Sequence, residues 1–177
     1  MLALPSAIGG LQTGCATDGE TIFTNGIDAL WIGSLKPPLP SGGFVSGGRV
    51  VALSLDTHAE RWRHERPKVA SLGGPPPKPV FTKVGDPVAS GIAVANGVVY
   101  FTAVASGKLI ALDAATGEVL KEIGLGPVWS GPSVSRGRVY VGTGNTQFLP
   151  PQKDTGVLLS FGLPGEDEVS RLGAGKD

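Results

Sequence analysis

Residues 107–121 read GKLIALDAATGEVLK, and the fold turns on how this run is read. Leu109 to Leu112 is a short apolar strand, Asp113 to Gly117 a turn, and Glu118 to Ile123 a second strand. Asp113 is able to bond its own backbone in such a turn. Gly117 supplies the left-handed φ that side-chain-bearing residues resist. Just upstream, Ile92–Val94 and Val98–Phe101 flank Asn96-Gly97, a pair that tolerates positive φ at both positions and is a strong hairpin signal. The window therefore holds four short strands joined by tight turns.

The same module recurs on both sides. GRVVALSLDTHAERW starts at Gly48, and a worn copy, GVLLSFGLPGED, starts at Gly156. A hairpin module precedes each: GCATDGETIFTNG from Gly14, SGIAVANGVVYFTA from Ser90 and SGPSVSRGRVYVGTG from Ser130. In the last of these, Arg136-Gly137 occupies the place of Asn96-Gly97. Four antiparallel strands in about 40 residues is the period of a propeller blade. The expected fold class is all-β, a partial β-propeller of about three four-stranded antiparallel blades. One domain spans 1–177, with blade-like units at 11–66, 86–124 and 127–165. The Pro- and Gly-rich stretches 33–48 and 67–79 are expected as loop insertions, the second extended and exposed, and 166–177 as a frayed tail. Few windows sustain a helical period, and Gly or Pro interrupts nearly all of them.

Composition narrows the function classes. Gly numbers 28 and Pro 15 of 177 residues, above the usual shares of about 7% and about 5%, as a turn-rich strand protein requires. Hydrophobic residues at 41% and charged residues at 17% exclude extended disorder. Fifteen basic residues balance fifteen acidic ones, which removes the basic footprint of a nucleic-acid binder. The lone Cys15 excludes an intrachain disulfide and a cysteine-based zinc cage, and reads as a small buried apolar residue. No apolar run reaches the about 18 residues of a membrane helix, so no membrane span is expected. The start MLALPSAIGG lacks the charged segment of a secretory signal. Either the chain is cytoplasmic or its true N-terminus is missing.

The run LIALDAATGEVL, followed by a hairpin and VYVGTGN, resembles the pyrroloquinoline-quinone (PQQ) type propeller repeat, whose blade carries Ala-x-Asp-x-x-Thr-Gly-x-x-x-Trp. Ala111, Asp113, Thr116 and Gly117 match, while Lys121 stands at the Trp position. In the first unit Thr57 and Trp62 match, with Ser54 and His58 in place of Asp and Gly. In the third, Gly162 stands at the Asp position and the Trp is absent. The order of modules is similar to the C-terminal part of polyvinyl-alcohol-dehydrogenase-like quinoproteins and to non-catalytic propellers sharing the repeat. The resemblance implies that Trp62 packs between blades, with cofactor stacking the alternative. Three units are fewer than the about four to eight that close a propeller. The chain is therefore expected to be a C-terminal fragment or truncated product of a larger one, self-associating through exposed blade faces and strand edges. Resemblance to this family implies a periplasmic or otherwise extracytoplasmic parent.

The sequence carries no P-loop, no dinucleotide fingerprint, no H-E-x-x-H and no G-x-S-x-G. His58 and His64 fit no metal spacing and are expected to be solvated surface residues; the carboxylates form no evident pair. The best candidate is Gly142-Thr143-Gly144-Asn145. In quinoprotein alcohol dehydrogenases a similar Thr-Gly-Asn offers an Asn oxygen to the calcium that holds PQQ, and the resemblance maps that metal-ligand role to Asn145. The alternative is a turn residue tolerating left-handed φ. Thr146 replaces the Pro frequent there in the family, the partner Glu and catalytic Asp have no counterparts, and one Cys cannot form that family's adjacent-cysteine ring. Catalytic residues thus stay unassigned. Trp129 is the candidate cofactor-binding residue, facing the central funnel, with burial in blade packing as the alternative. Two functions remain open. One is part of a PQQ-dependent alcohol-dehydrogenase-like oxidoreductase using PQQ and calcium, with no turnover from this chain alone. The other is a non-enzymatic scaffold for protein–protein interaction, like the outer-membrane assembly lipoproteins of the same repeat family. The partners implied are the remaining blades or another protein.

Overall fold

The computed structural model describes residues 13–34, 41–67, 69–71, 86–104, 106–126, 128–144 and 156–162. Its secondary structure is strand throughout, in three antiparallel sheets. The first is the meander β1 (Ala16–Thr17), β2 (Thr21–Ser34), β3 (Ser41–Ser54) and β4 (Glu60–Glu65), with β5 (Val69–Ser71) paired to the early part of β3. The second is the four-stranded meander β6 (Ala93–Ala95), β7 (Val98–Ala103), β8 (Lys108–Asp113) and β9 (Val119–Gly124). The third holds β10 (Ser133–Ser135), β11 (Arg138–Gly142) and β12 (Leu158–Phe161). These are the blades of a partial β-propeller, with five, four and three strands among the described residues rather than four in each.

Local chemistry explains the turns. Asn96 and Gly97 adopt φ of 49° and 74°, and Arg136 and Gly137 repeat this with 49° and 73°. Both hairpins thus use the turn whose two central residues carry positive φ. In the β8–β9 turn the Asp113 carboxylate accepts the amides of Ala115 at 2.9 Å and Thr116 at 2.8 Å. Those amides, Thr116 first, hold its pKa below the ordinary carboxylate value. Gly117 closes the turn at φ 77°, while His58, at the matching place in the first sheet, takes φ 57° despite its side chain.

The first two sheets share a register pattern. β3 and β4 slip at Ala52/Leu53, and β8 and β9 slip at Ala111/Leu112. Ala52 pairs with Trp62, and Ala111 with Lys121. Between the first and second sheets lies a core of Phe23, Val50, Ala52, Val99, Phe101, Ile110 and Leu112, with Trp62 against it. Between the second and third lies a smaller one of Leu109, Val128, Val139 and Val141.

Several expectations are corrected. Of the loop placed at 33–48, Gly33, Ser34 and residues 41–48 are strand, in a ladder running unbroken from Thr21↔Ser54 to Ser34↔Ser41. The ladder is made by backbone groups, which Gly carries like any residue. Pro37, Pro38 and Pro40, none of which has an N–H to donate to it, lie in 35–40, outside the described residues. Within 67–79, residues 69–71 form β5, and 72–79 lie outside the described residues, as does the tail 166–177. Cys15 is exposed, because it precedes β1 at the sheet margin and not on a core-facing strand position. His64 is half-buried against the Phe101 ring, with centroids 6.1 Å apart, because alternation along β4 points it at the second sheet.

Candidate functional site

Two places gather polar side chains: the seam between the first two sheets, and the margin where the segments preceding each inner strand meet. On the seam, Trp62, His64 and Arg66 form a row along and just beyond β4. The Trp62 indole Nε1 donates to the Ala114 carbonyl of the next sheet at 2.9 Å and its ring lies 5.9 Å from that of Phe23. A Cβ on Gly117 would fall 2.6 Å from the indole. The turn glycine thus serves both its own φ and the ring resting on it. Arg66 Nη2 donates to Asp86 Oδ2 at 2.6 Å and Nη1 to Glu122 Oε1 at 2.8 Å. Lys108 Nζ donates to Glu122 Oε2 at 2.7 Å, and Ser106 gives Asp86 its amide and hydroxyl at 3.0 and 2.8 Å. Lys108 first, then Arg66, holds the Glu122 carboxyl below its ordinary value. Burial, and then the Arg66 charge, lowers the His64 pKa, and its Nε2 has no hydrogen-bond partner. The charges of Arg66, Asp86, Lys108 and Glu122 are matched by opposite ones, as buried ion networks require; the array stitches two sheets.

The inner margin repeats a hydroxyl motif. Thr13 Oγ1 sits 2.7 Å from Asn25 Oδ1 and 3.1 Å from the Ser90 carbonyl. Ser90 Oγ accepts the Thr102 amide at 2.9 Å, and Thr102 Oγ1 donates to the Ser130 carbonyl at 2.8 Å. Ser130 Oγ in turn donates to the Gly142 carbonyl at 2.5 Å. The glycines after Ser90 and Ser130 let successive segments close up: a Cβ on Gly131 would lie 2.8 Å from the Gly91 carbonyl oxygen. Asn25, Thr102 and Gly142 are equivalent positions. Asn25 reaches the Val88 carbonyl at 2.6 Å and Thr102 reaches Ser130, whereas Gly142 has no side chain to reach with.

At Gly142 a shallow concavity of about 410 Å³ opens, lined by Trp129, Ser130, Gly142, Thr143 and Gly144. Trp129, expected to meet a cofactor or be buried in packing, is 38% exposed and borders this concavity; full burial is excluded. Gly144 takes φ 92°, and the next residue, Asn145, lies outside the described residues. The described lining residues are neutral. Ser130 Oγ is spent on Gly142, and Thr143 Oγ1 on the Val157 carbonyl at 3.3 Å. Among the described residues no carboxylate lines it, and no three His, Cys, Asp or Glu side chains gather as a metal-holding group. Among the described residues, the lining around Trp129 offers no carboxylate to a calcium ion, which favours converging hard oxygens, and Asn145 lies outside them. No helix among the described residues is long and apolar enough to cross a membrane.

A family model described as outer membrane protein assembly factor BamB matches residues 12–159. Two solved structures are similar. One is a europium-containing methanol dehydrogenase, 21% identical, with a TM-score of 0.47 over 81% of this chain and 25% of that one. The other is BamB from Moraxella catarrhalis, 15% identical, with a TM-score of 0.42 over 85% of this chain and 49% of that one. The chain thus spans about a quarter of the first and about half of the second. No curated protein matches it.

Proposed function

The chain belongs to the PQQ-like β-propeller repeat family described as outer membrane protein assembly factor BamB, and from that premise we propose that it works as a scaffold, holding protein partners rather than turning over a substrate. The three units, 11–66, 86–124 and 127–165, are blades of a larger extracytoplasmic ring whose other blades complete it. The observation that carries this reading is the concavity at Trp129, lined by hydroxyls and glycines among the described residues, within a chain matched by an assembly-factor family. An exposed Trp beside backbone groups suits a protein partner, since aromatic anchors dominate such contacts.

A second reading has one observation in its favour: Trp129 is exposed beside Gly142-Thr143-Gly144, the run that leads into Asn145. Under it, the parent is a quinoprotein oxidoreductase and the remaining PQQ and calcium ligands come from other blades. A photo-crosslinking residue at Trp129 in the parent protein separates the two. The scaffold reading expects adducts with an outer-membrane protein assembly partner in the intact envelope. It also expects no saturable change in tryptophan fluorescence on titrating PQQ with calcium. A calcium-dependent, saturable PQQ signal lost in Trp129→Ala would overturn it in favour of the second reading.

A further inference from the structure

On the seam between the second and third sheets the position equivalent to Trp62 is Lys121, since Trp62 pairs with Ala52 and Lys121 with Ala111 at the same register slip. The position equivalent to Phe23, the ring that Trp62 packs on, is Tyr100, because Phe23 pairs with Ala52 and Tyr100 with Ala111. Where an indole fills the first seam, the second holds a cavity of about 300 Å³. Its walls include Tyr100, Leu109, Ile123, Val139 and Phe161, and Lys121 stands at its exposed rim. Mostly apolar walls of this kind suit a planar apolar ring. Among the described lining residues the one formal charge is the ammonium of Lys121, which favours an anion.

We propose that this slot binds a free aromatic acid: a planar ring of indole size enters where the absent Trp would lie, and its carboxylate pairs with Lys121. The geometry of the filled seam supplies the ring, because the same backbone register holds an indole there. The proposal is independent of the scaffold reading, which concerns the margin at Trp129.

Calorimetric titration of the full chain with indole-3-acetate, with indole and with acetate tests it. The wild type binds indole-3-acetate at one site, with a dissociation constant on the order of a millimolar or tighter. It binds indole more weakly and does not bind acetate. Lys121→Trp fills the slot from within and weakens indole-3-acetate by at least about tenfold. Lys121→Met keeps the slot open and binds indole and indole-3-acetate alike, which guards against a loss caused by misfolding of the Trp variant. The proposal is overturned by any of three results: no saturable heat from the wild type, undiminished binding by Lys121→Trp, or a persistent preference for the acid in Lys121→Met.

Discussion

Along and just beyond β4, Trp62, His64 and Arg66 face the second sheet; at the matching positions of β9 and the residues after it stand Lys121, Ile123 and Leu125. The first row meets its neighbour through an indole hydrogen bond to Ala114, a ring contact with Phe101 and a paired guanidinium. The second contributes Ile123 and Leu125 to a small apolar core and leaves a hollow beside Lys121. Backbone register and the β-bulge are the same in both, so the repeat's hydrogen bonding does not decide how tightly blades adhere. The decision rests on one side chain at the end of the Asp-x-x-Thr-Gly turn and on what the next blade offers it.

The comparison can be broken at its strongest point. Trp62→Ala is expected to destabilise the chain by about 3 kcal/mol, as for an aromatic truncated in a packed seam, measured by denaturant melts. A loss of a few tenths would mean the two seams are equivalent. Gly117→Val is expected to cost about 2 kcal/mol, through strain at positive φ and through collision with the indole. In a Trp62→Ala background the collision disappears, so the two losses fall short of additive. Lys121→Trp sharpens the contrast from the other side: filling the hollow is expected to raise stability by about 1 kcal/mol.

The smallest expected effect is on pH dependence. Folded His64 has a pKa below its ordinary 6.5, chiefly through burial. Below that value the unfolded chain takes up a proton that the folded chain rejects, so stability falls as pH drops through 6.5 and levels off below the folded pKa. Glu122 has a folded pKa below 4.5, from its bonds to Lys108 and Arg66. Its contribution is intact above 4.5 and is lost as pH falls through the folded value. Melts of His64→Gln across pH 7 to 3 are expected to lack the upper limb and keep the lower one. An unchanged upper limb would remove His64 from the account.

The parts of the molecule legible in the sequence are those fixed by chemistry within a few residues. Asn96-Gly97, Arg136-Gly137 and the Asp113–Gly117 turn could be read directly, because positive φ and short side-chain bonds belong to the turn itself. Trp62 could be read as packing between blades, but its acceptor on Ala114 could not. Composition misled over 33–48: Gly and Pro mark loops on average, whereas a long hairpin needs only unbroken backbone pairing up to residue 34 and from residue 41. The network of Arg66, Asp86, Lys108 and Glu122 left no trace in the sequence. Its members lie 20 and 56 residues from Arg66 for Asp86 and Glu122, and scattered charges have no period to notice. At the margin, exposed Trp129 differs from the equivalent place before Ser90, Ala89, which is buried. Its neutral surroundings depend on hydroxyls already committed to backbone, which sequence does not reveal.

The claim on which the rest stands is that these sheets are successive blades joined by one tight seam and one loose one. Site-resolved amide exchange of the folded chain tests it most directly, because local opening reports how strongly each unit is held to its neighbours. The account predicts that amides of β3, β4, β7 and β8 exchange together, at the highest protection in the molecule, and that those of β11 and β12 open separately and sooner. Equal protection across all three sheets, or a third sheet that outlasts the first two, would contradict it.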